Sequence, residues 1–512
     1  MTRLSDLCAA YPILSVSGKS VSDAIACGAL RQNIQAIEYD SRYAAPNCLF
    51  FCLPGARVDG HTFAPLAYAS GCRAFVCDHL LDSIPADAVQ LLVDNPRKAL
   101  AYFSAAFYGN PAKSLTVIGI TGTKGKTTTA ILLSEILCGC GIPCAYIGSN
   151  GVVIGKERFE TVNTTPESRE LHRYFRMMVD HGITHVVMEI SSQALVTHRV
   201  EGIPFDTCMY TNLSVDHIGG VEHPTFEDYL AAKASLFRDF HPAHVICNLD
   251  DAHWMEVVGQ PASDTAFIGY AVHRPLGENC RFVAKNIHPF RSETALGIDF
   301  TCVTEKEGET PVRLRTPGEF SVYNGLCAIA AASVYGVSVP DAARILQTLS
   351  IRGRFEIVDA LPGVIFLIDY AHNGLSLTSA LRVLREYHPH RLICLFGSVG
   401  CRTKNRRREL GEAAGKYADY AIITADNPDT ENPAAINREI LSYYDRTKPY
   451  LLFDDREDAL RAAVQMAENG DIVLCAGKGH ETYQLINGDK VPFSEREIIL
   501  HEAALRLESL PI

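Results

Sequence analysis

The chain has 512 residues, a length that predicts three domains, or at most four, at about 100–200 residues each. Its 47% hydrophobic and 21% charged content is that of a globular protein and excludes disordered and fibrous classes. A formal net charge of -12 disfavours non-specific binding to nucleic acid, so no nucleic-acid partner is expected and any anionic substrate must be captured locally.

The opening MTRLSDLCAAYPIL lacks the pattern of a secretory signal, and apolar runs such as VIFLI are too short to span a bilayer. A cytoplasmic protein without a membrane partner is expected. Seventeen cysteines follow no disulfide or zinc spacing, so reduced and mostly buried thiols are predicted.

Residues 1 to about 110 alternate short apolar runs (CLFFCLP, CRAFVCD, VQLLVD) with turns and end at Gly109-Asn110-Pro111. A small α/β domain is predicted there. From Leu115, LTVIGI reads as a buried strand, followed by a glycine turn and the helical stretch TTTAILLSEILCGC. THVVMEI gives a second strand ending at Glu189-Ile190, and this block, 111–350, forms the second domain. The third, 351–512, alternates the strands VIFLIDY, RLICLFG, YAIITAD and DIVLCAG with helical patterns such as that around Asn437 to Tyr444. Such alternation predicts a parallel sheet covered on both faces, with ligands at the carboxyl ends of its strands.

The segment GITGTKGKTTT, Gly119 to Thr129, lies between a predicted strand and a predicted helix. Gly122, Thr123, Lys124 and Gly125 would let backbone N–H groups wrap a triphosphate at the helix N-terminus, with Thr128 in its first turn. Lys126 would supply positive charge to the β- and γ-phosphates, and the Thr127 hydroxyl would hold magnesium. Ile120 stands where a strict Walker A loop has glycine, so the loop is a variant. By itself it leaves transport, kinase, GTPase and ligase functions open.

MEISSQAL, TNLSVDHIG, AAKASLF, SVYNGLCAIAAA, RGRFE and DYAH follow the loop in order. Together with GTKGKTT they resemble the Mur ligase family over nearly the whole chain. EYDSR, NTTP, ADNPDTE and AGKGHE are most similar to its MurE-type branch, which adds the third residue to UDP-N-acetylmuramoyl-L-alanyl-D-glutamate. The resemblance implies a three-domain α/β architecture: a UDP-sugar-binding domain, a central ATPase domain with a P-loop-type parallel sheet, and a C-terminal Rossmann-like domain that binds the incoming amino acid and closes over the site. It implies ATP and two magnesium ions as cofactors, an acyl phosphate on the D-glutamate side chain, and the dipeptide nucleotide and a free amino acid as partners. A monomer is expected.

The resemblance also assigns residues. Glu189 would meet magnesium; its place at the end of an apolar strand already calls for a cation. His217 would be a second magnesium ligand, although by itself a lone histidine reads as structural. Lys233, among alanines, would be carbamylated and hold the second ion; by spacing alone it is a surface lysine. Asn324 would read adenine or else cap a helix. Arg354, Asp369 and His372 would close on the nucleotide, with a surface charge and a helix cap as the plainer readings of the first two.

Tyr39, Ser41, Asn163, Thr164, Thr165, Ser191, Thr197 and Arg199 match positions that contact the nucleotide sugar, with the loop PGARVDG nearby. Arg402, Asp426, Asn427, Pro428, Asp429, Gly477 and Glu481 match positions that hold the amino acid. Family members that add meso-diaminopimelate usually carry arginine where Asp429 stands. An aspartate there suits an ammonium better than a carboxylate, which favours lysine or another basic amino acid over meso-diaminopimelate. The other readings are a different ligase of the superfamily (MurF, folylpolyglutamate or cyanophycin synthetase type) and a nucleotide-binding regulator without ligation chemistry.

Overall fold

The computed structural model describes residues 2–55, 58–215, 218–219, 222–260, 262–401 and 405–509. The chain forms two compact units, 1–281 with 327–337, and 282–326 with 338–512.

The first unit opens with a five-stranded sheet in the order Ser15–Val16, Val89–Leu92, Ala74–Cys77, Cys48–Phe51, Ala36–Glu38. All neighbours are parallel except the first pair. Because successive side chains point to opposite faces, Leu49, Phe51 and Val76 pack into one core and Cys48, Phe50 and Phe75 into another. Helix Pro96–Phe107 follows, started by Asn95, whose side chain accepts from the N–H groups of Arg97 and Lys98.

The larger sheet of this unit runs Cys144–Gly148, His185–Glu189, Thr116–Thr121, Phe205–Tyr210, His244–Asn248, Ala266–Ala271, all parallel. An antiparallel hairpin, Gly151–Ile154 and Glu157–Phe159, borders it. From Thr116–Thr121 the chain crosses first to Cys144–Gly148 and His185–Glu189 on one side and later to Phe205–Tyr210 on the other. The sheet therefore has its topological switch point at the central strand, where a crevice opens at the carboxyl ends.

Strands Cys280–Arg291, Leu296–Thr304 and Gly308–Leu314, all but the first two residues in the second unit, pair antiparallel. The blockwise reading of 111–350 did not anticipate them. Their signal is the period of two, plainest in Gly308–Leu314, where buried and exposed residues alternate. A second sheet runs Glu356–Val358, Ile365–Asp369, Ile472–Ala476, Leu392–Phe396, Tyr420–Ile423, Tyr450–Leu452. All but its first pair are parallel. The four strands expected in this region are present, while the helix expected around Asn437 to Tyr444 spans Pro433–Ser442 and stops short of Tyr444.

No described helix is long and apolar enough to cross a membrane. All seventeen cysteines are free and most are buried, as their spacing predicted.

Candidate active site

Strand Thr116–Thr121 delivers the loop 122–125 to the switch point, and helix Lys126–Gly139 leaves from it. Gly122 has φ +149°, and a Cβ there would lie 1.9 Å from Thr211 Oγ1, so only glycine fits. The loop is braced by the segment after Phe205–Tyr210. Thr123 N donates to Asn212 O (2.8 Å), Lys124 N donates to Asn212 Oδ1 (2.9 Å), and the Thr211 hydroxyl donates to Lys124 O (2.8 Å). Two of the N–H groups expected to face a triphosphate are thus engaged by Asn212. That leaves the helix N-terminus, which Gly125 starts without a side-chain cap, as the anion-facing end.

Lys126 Nζ donates to Gly122 O (2.9 Å) and Thr123 O (3.1 Å), folded back along its own loop. Lys233 Nζ, 1% exposed on helix Phe226–Arg238, donates to the same Gly122 oxygen (2.9 Å) and lies 4.5 Å from the centre of the Tyr229 ring. Two amines therefore converge on one carbonyl. Thr128 stands half-buried in the first turn of the helix.

Glu189, fully buried at the end of its strand, accepts from three donors. These are the Thr127 hydroxyl (2.9 Å), the Tyr146 hydroxyl (2.7 Å) and Ser149 N (2.9 Å). The Thr127 hydroxyl and the Glu189 carboxylate form a hard-oxygen pair of the kind magnesium prefers, so the residues present fit that ion. Gly148 makes the approach possible, because a Cβ on it would lie 2.1 Å from Glu189 Oε1. Tyr146, Gly148 and Ser149 were missed in the sequence, although YIGSN carries them.

Beside Glu189, the Thr165 hydroxyl donates to Glu189 O (2.8 Å) and accepts from Ser191 N (3.0 Å). Arg199 donates to Thr165 O (3.1 Å), and the hydroxyls of Thr164 and Ser149 are 3.0 Å apart. Four predicted sugar-binding residues, Thr164, Thr165, Ser191 and Arg199, thus gather at one strand end, with half-buried Asn163 adjoining them in the chain. The Thr197 hydroxyl donates to Gln193 O (2.6 Å), which ties it to the end of its own helix. Tyr39 and Ser41 follow strand Ala36–Glu38, and the Tyr39 hydroxyl donates to Glu170 (3.1 Å). His217, Arg402, and Ala56 and Arg57 of the PGARVDG loop lie outside the described residues.

In the second unit the predicted motifs also sit at carboxyl strand ends. Asp369 is buried and accepts from Phe355 N (2.9 Å); burial raises its pKa, and the Arg354 guanidinium works against that rise. Arg354 lies 5.2 Å from the Tyr370 ring centre, and His372 Nδ1 is 2.8 Å from Tyr370 O, its pKa lowered by burial. Buried Asn324 lies within helix Glu319–Val334, so the helix-cap reading does not hold. Gly477 N donates to Asp369 O (3.0 Å), joining AGKGHE to DYAH.

The ADNPD and AGKGHE motifs are held together by Lys478, a fully buried cation the sequence reading passed over. Its Nζ donates to Asn427 Oδ1 (2.8 Å), Glu481 Oε2 (2.9 Å) and Tyr483 O. Asn427 donates in turn to Glu481 (2.9 Å), and buried Pro428 accepts from Glu431 N (3.0 Å). Burial raises the pKa of Asp426, opposed by Arg456 and Lys478. Asp429 has φ +52°, and its Oδ1 accepts from Gly488 N (2.8 Å) at the turn of hairpin Tyr483–Ile486 and Asp489–Pro492. This carboxylate caps a turn.

A glycine loop, a buried carboxylate and a serine–threonine cluster at one switch point define a nucleotide-dependent α/β enzyme. The Mur ligase family catalytic domain matches residues 33–108, the Mur ligase middle domain 120–332, and the Mur ligase glutamate ligase domain 353–479. The chain belongs to the Mur ligase family and has its three-domain α/β architecture. A ligase of Clostridium botulinum is 36% identical over 474 residues, 92% of this chain and 95% of its own. One from Caldanaerobacter subterraneus is 37% identical over 468 residues, 91% and 94% of the two chains. Both carry the name UDP-N-acetylmuramoyl-L-alanyl-D-glutamate–2,6-diaminopimelate ligase. A solved structure of a ligase of that name superposes with a TM-score of 0.66 at 26% identity, covering 93% of this chain and 95% of that one.

Proposed function

We propose that the chain is an ATP-dependent, ADP-forming ligase that adds a diamino acid to UDP-N-acetylmuramoyl-L-alanyl-D-glutamate in peptidoglycan synthesis. One observation carries the reading: Glu189, fully buried, is joined to Thr127 (2.9 Å) beside the glycine loop. Relatives of that named activity cover more than nine-tenths of this chain.

The residues supply the chemistry as follows. Lys126, freed from its loop carbonyls, neutralises charge on the γ-phosphoryl group passing from ATP to the glutamate side-chain carboxylate with release of ADP; the amine of the incoming amino acid attacks the acyl phosphate so formed, and the tetrahedral intermediate loses inorganic phosphate and a proton to give the amide. Thr127 and Glu189 would hold magnesium, which when bound would supply Lewis-acid stabilisation of phosphate charge. Thr164, Thr165, Ser191 and Arg199 orient the muramoyl peptide, with Asn163 and Thr197 beside them and Tyr39 and Ser41 on the nucleotide. Arg354, Asp369, His372 and Asn324 carry the nucleotide role in the second unit. Functionally, 1–110 binds the nucleotide sugar, 111–350 the ATP and 351–512 the amino acid.

Lys126 and Lys233 both donate to Gly122 O, and two ammonium groups at one oxygen repel. Loss of a proton from Lys233, addition of its amine to carbon dioxide and loss of a second proton from nitrogen give a carbamate anion, which reverses that repulsion and would provide, with His217, a seat for a second magnesium ion. A carbamate resonance with 13C-bicarbonate, absent in Lys233→Met, tests this. The reaction is assigned to the cytoplasm and to a monomer, the latter checked by light scattering.

The bond from Gly488 N gives Asp429 a turn-capping role that needs no ammonium, and the relatives' named amino acid favours 2,6-diaminopimelate. A panel of amino acids read by product mass decides it. A tripeptide nucleotide formed fastest with meso-diaminopimelate supports the reading; preference for lysine, or no product with any diamino acid, overturns it.

A further inference from the structure

One cluster beside the N-terminal sheet supplies none of the ligation chemistry described above, although its Asp59 belongs to the PGARVDG loop expected near the nucleotide sugar. His61, in the turn Gly60–Phe63, is 94% buried by its 6% exposure, and its Nδ1 meets Asp59 Oδ1 at 2.6 Å. In the neutral imidazole that contact puts the proton on Nδ1 and leaves Nε2 as a lone pair. Nε2 is buried without a hydrogen-bond partner, yet lies 3.2 Å from Asp78 Oδ1. A lone pair facing a carboxylate is repulsive until a second proton or a metal cation lies between them, and a metal would also engage the neighbouring His79.

His79 completes the group. Its ring stacks on that of His61 with centres 4.5 Å apart, and its Nδ1 meets the same Asp78 oxygen at 2.5 Å. One ligand atom each from His61, Asp78 and His79 lies within 4.8 Å of the others, the one such group among the described residues. We propose that His61, Asp78 and His79 bind a divalent transition-metal ion of the zinc class, with Asp59 as the positioning residue for His61. Two imidazoles and one carboxylate suit zinc, which commonly takes three protein ligands and leaves a fourth position open. With two of its three ligand atoms nitrogen, the same set suits zinc better than magnesium, which prefers mostly oxygen ligands. The ion would pin the turn Gly60–Phe63 to the end of strand Ala74–Cys77.

The test uses the full chain, stripped by a chelator, reduced, and held in excess Mg2+, with Zn2+ added in equilibrium dialysis. The wild type is expected to bind one equivalent more than His79→Ala, a variant whose side chain is 59% exposed and whose fold should be undisturbed. The subtraction removes zinc held by exposed thiols. Asp59→Asn is expected to keep that equivalent at about 10–100-fold lower affinity. Zn2+ should raise the melting temperature of wild type and not of His79→Ala. Equal binding by wild type and His79→Ala, or imidazole 15N signals showing His61 protonated on both nitrogens and unmoved by Zn2+, would overturn the proposal and leave an ion-pair cluster.

Discussion

Glu189 shows how a single side chain can be both an obstacle to folding and the reason for a site. A carboxylate with no exposure is costly unless it is hydrogen-bonded, and here three donors meet it. Two of those donors depend on Gly148. Gly148→Ala is expected to cost about 1–3 kcal/mol of stability and most ATP turnover, read by urea melts and ADP release. His172 offers an independent test. It is buried with both ring nitrogens unpartnered, and burial lowers its pKa to about 4. The unfolded chain therefore binds this proton between about pH 6.5 and 4 while the native state does not, and stability falls as pH drops through that window. His172→Phe should remove about 2–3 kcal/mol of the destabilisation seen on going from pH 7 to pH 4.5. An unchanged pH slope in urea melts would contradict the assignment.

Among the elements, the hairpin Tyr483–Ile486 and Asp489–Pro492 and the ADNPD segment act as one piece, because Lys478 and Asp429 tie them together. Asp429→Ala should cost about 1 kcal/mol through the lost turn bond. Asp429→Asn, which keeps an acceptor, should leave the ratio of kcat/KM for meso-diaminopimelate and lysine within about threefold, since about 1.4 kcal/mol would be needed for tenfold. A switch of preference in that variant would restore the ammonium-binding role read from sequence. Lys478→Met leaves Glu481 and Asp426 without their shared cation and is expected to destabilise the unit by about 3–5 kcal/mol. The parallel strands were legible because runs such as LICLF and IVLCA are continuously apolar. The antiparallel strands of 280–314 were not, since Lys285, Asn286 and His288 interrupt the pattern where the register shifts. Lys478 was hidden for a different reason: nothing in AGKGHE says that its charge is buried until Asn427 and Glu481 are seen beside it.

Across the whole chain, ordered motifs identified the family, and three family domains match 33–108, 120–332 and 353–479. What order alone could not supply is which N–H groups Asn212 engages, or that two lysines share Gly122 O. These depend on strands distant in sequence meeting at one switch point. The proposed cradle makes the D-glutamyl side-chain carboxylate of the muramoyl dipeptide reactive toward an amine. This is tested most directly by ADP release from the purified chain with ATP, Mg2+, UDP-N-acetylmuramoyl-L-alanyl-D-glutamate and meso-diaminopimelate. Turnover should require both the dipeptide nucleotide and the amino acid and fall at least about 100-fold in Lys126→Ala. Turnover that ignores the dipeptide nucleotide, or that survives in Lys126→Ala, would contradict the account.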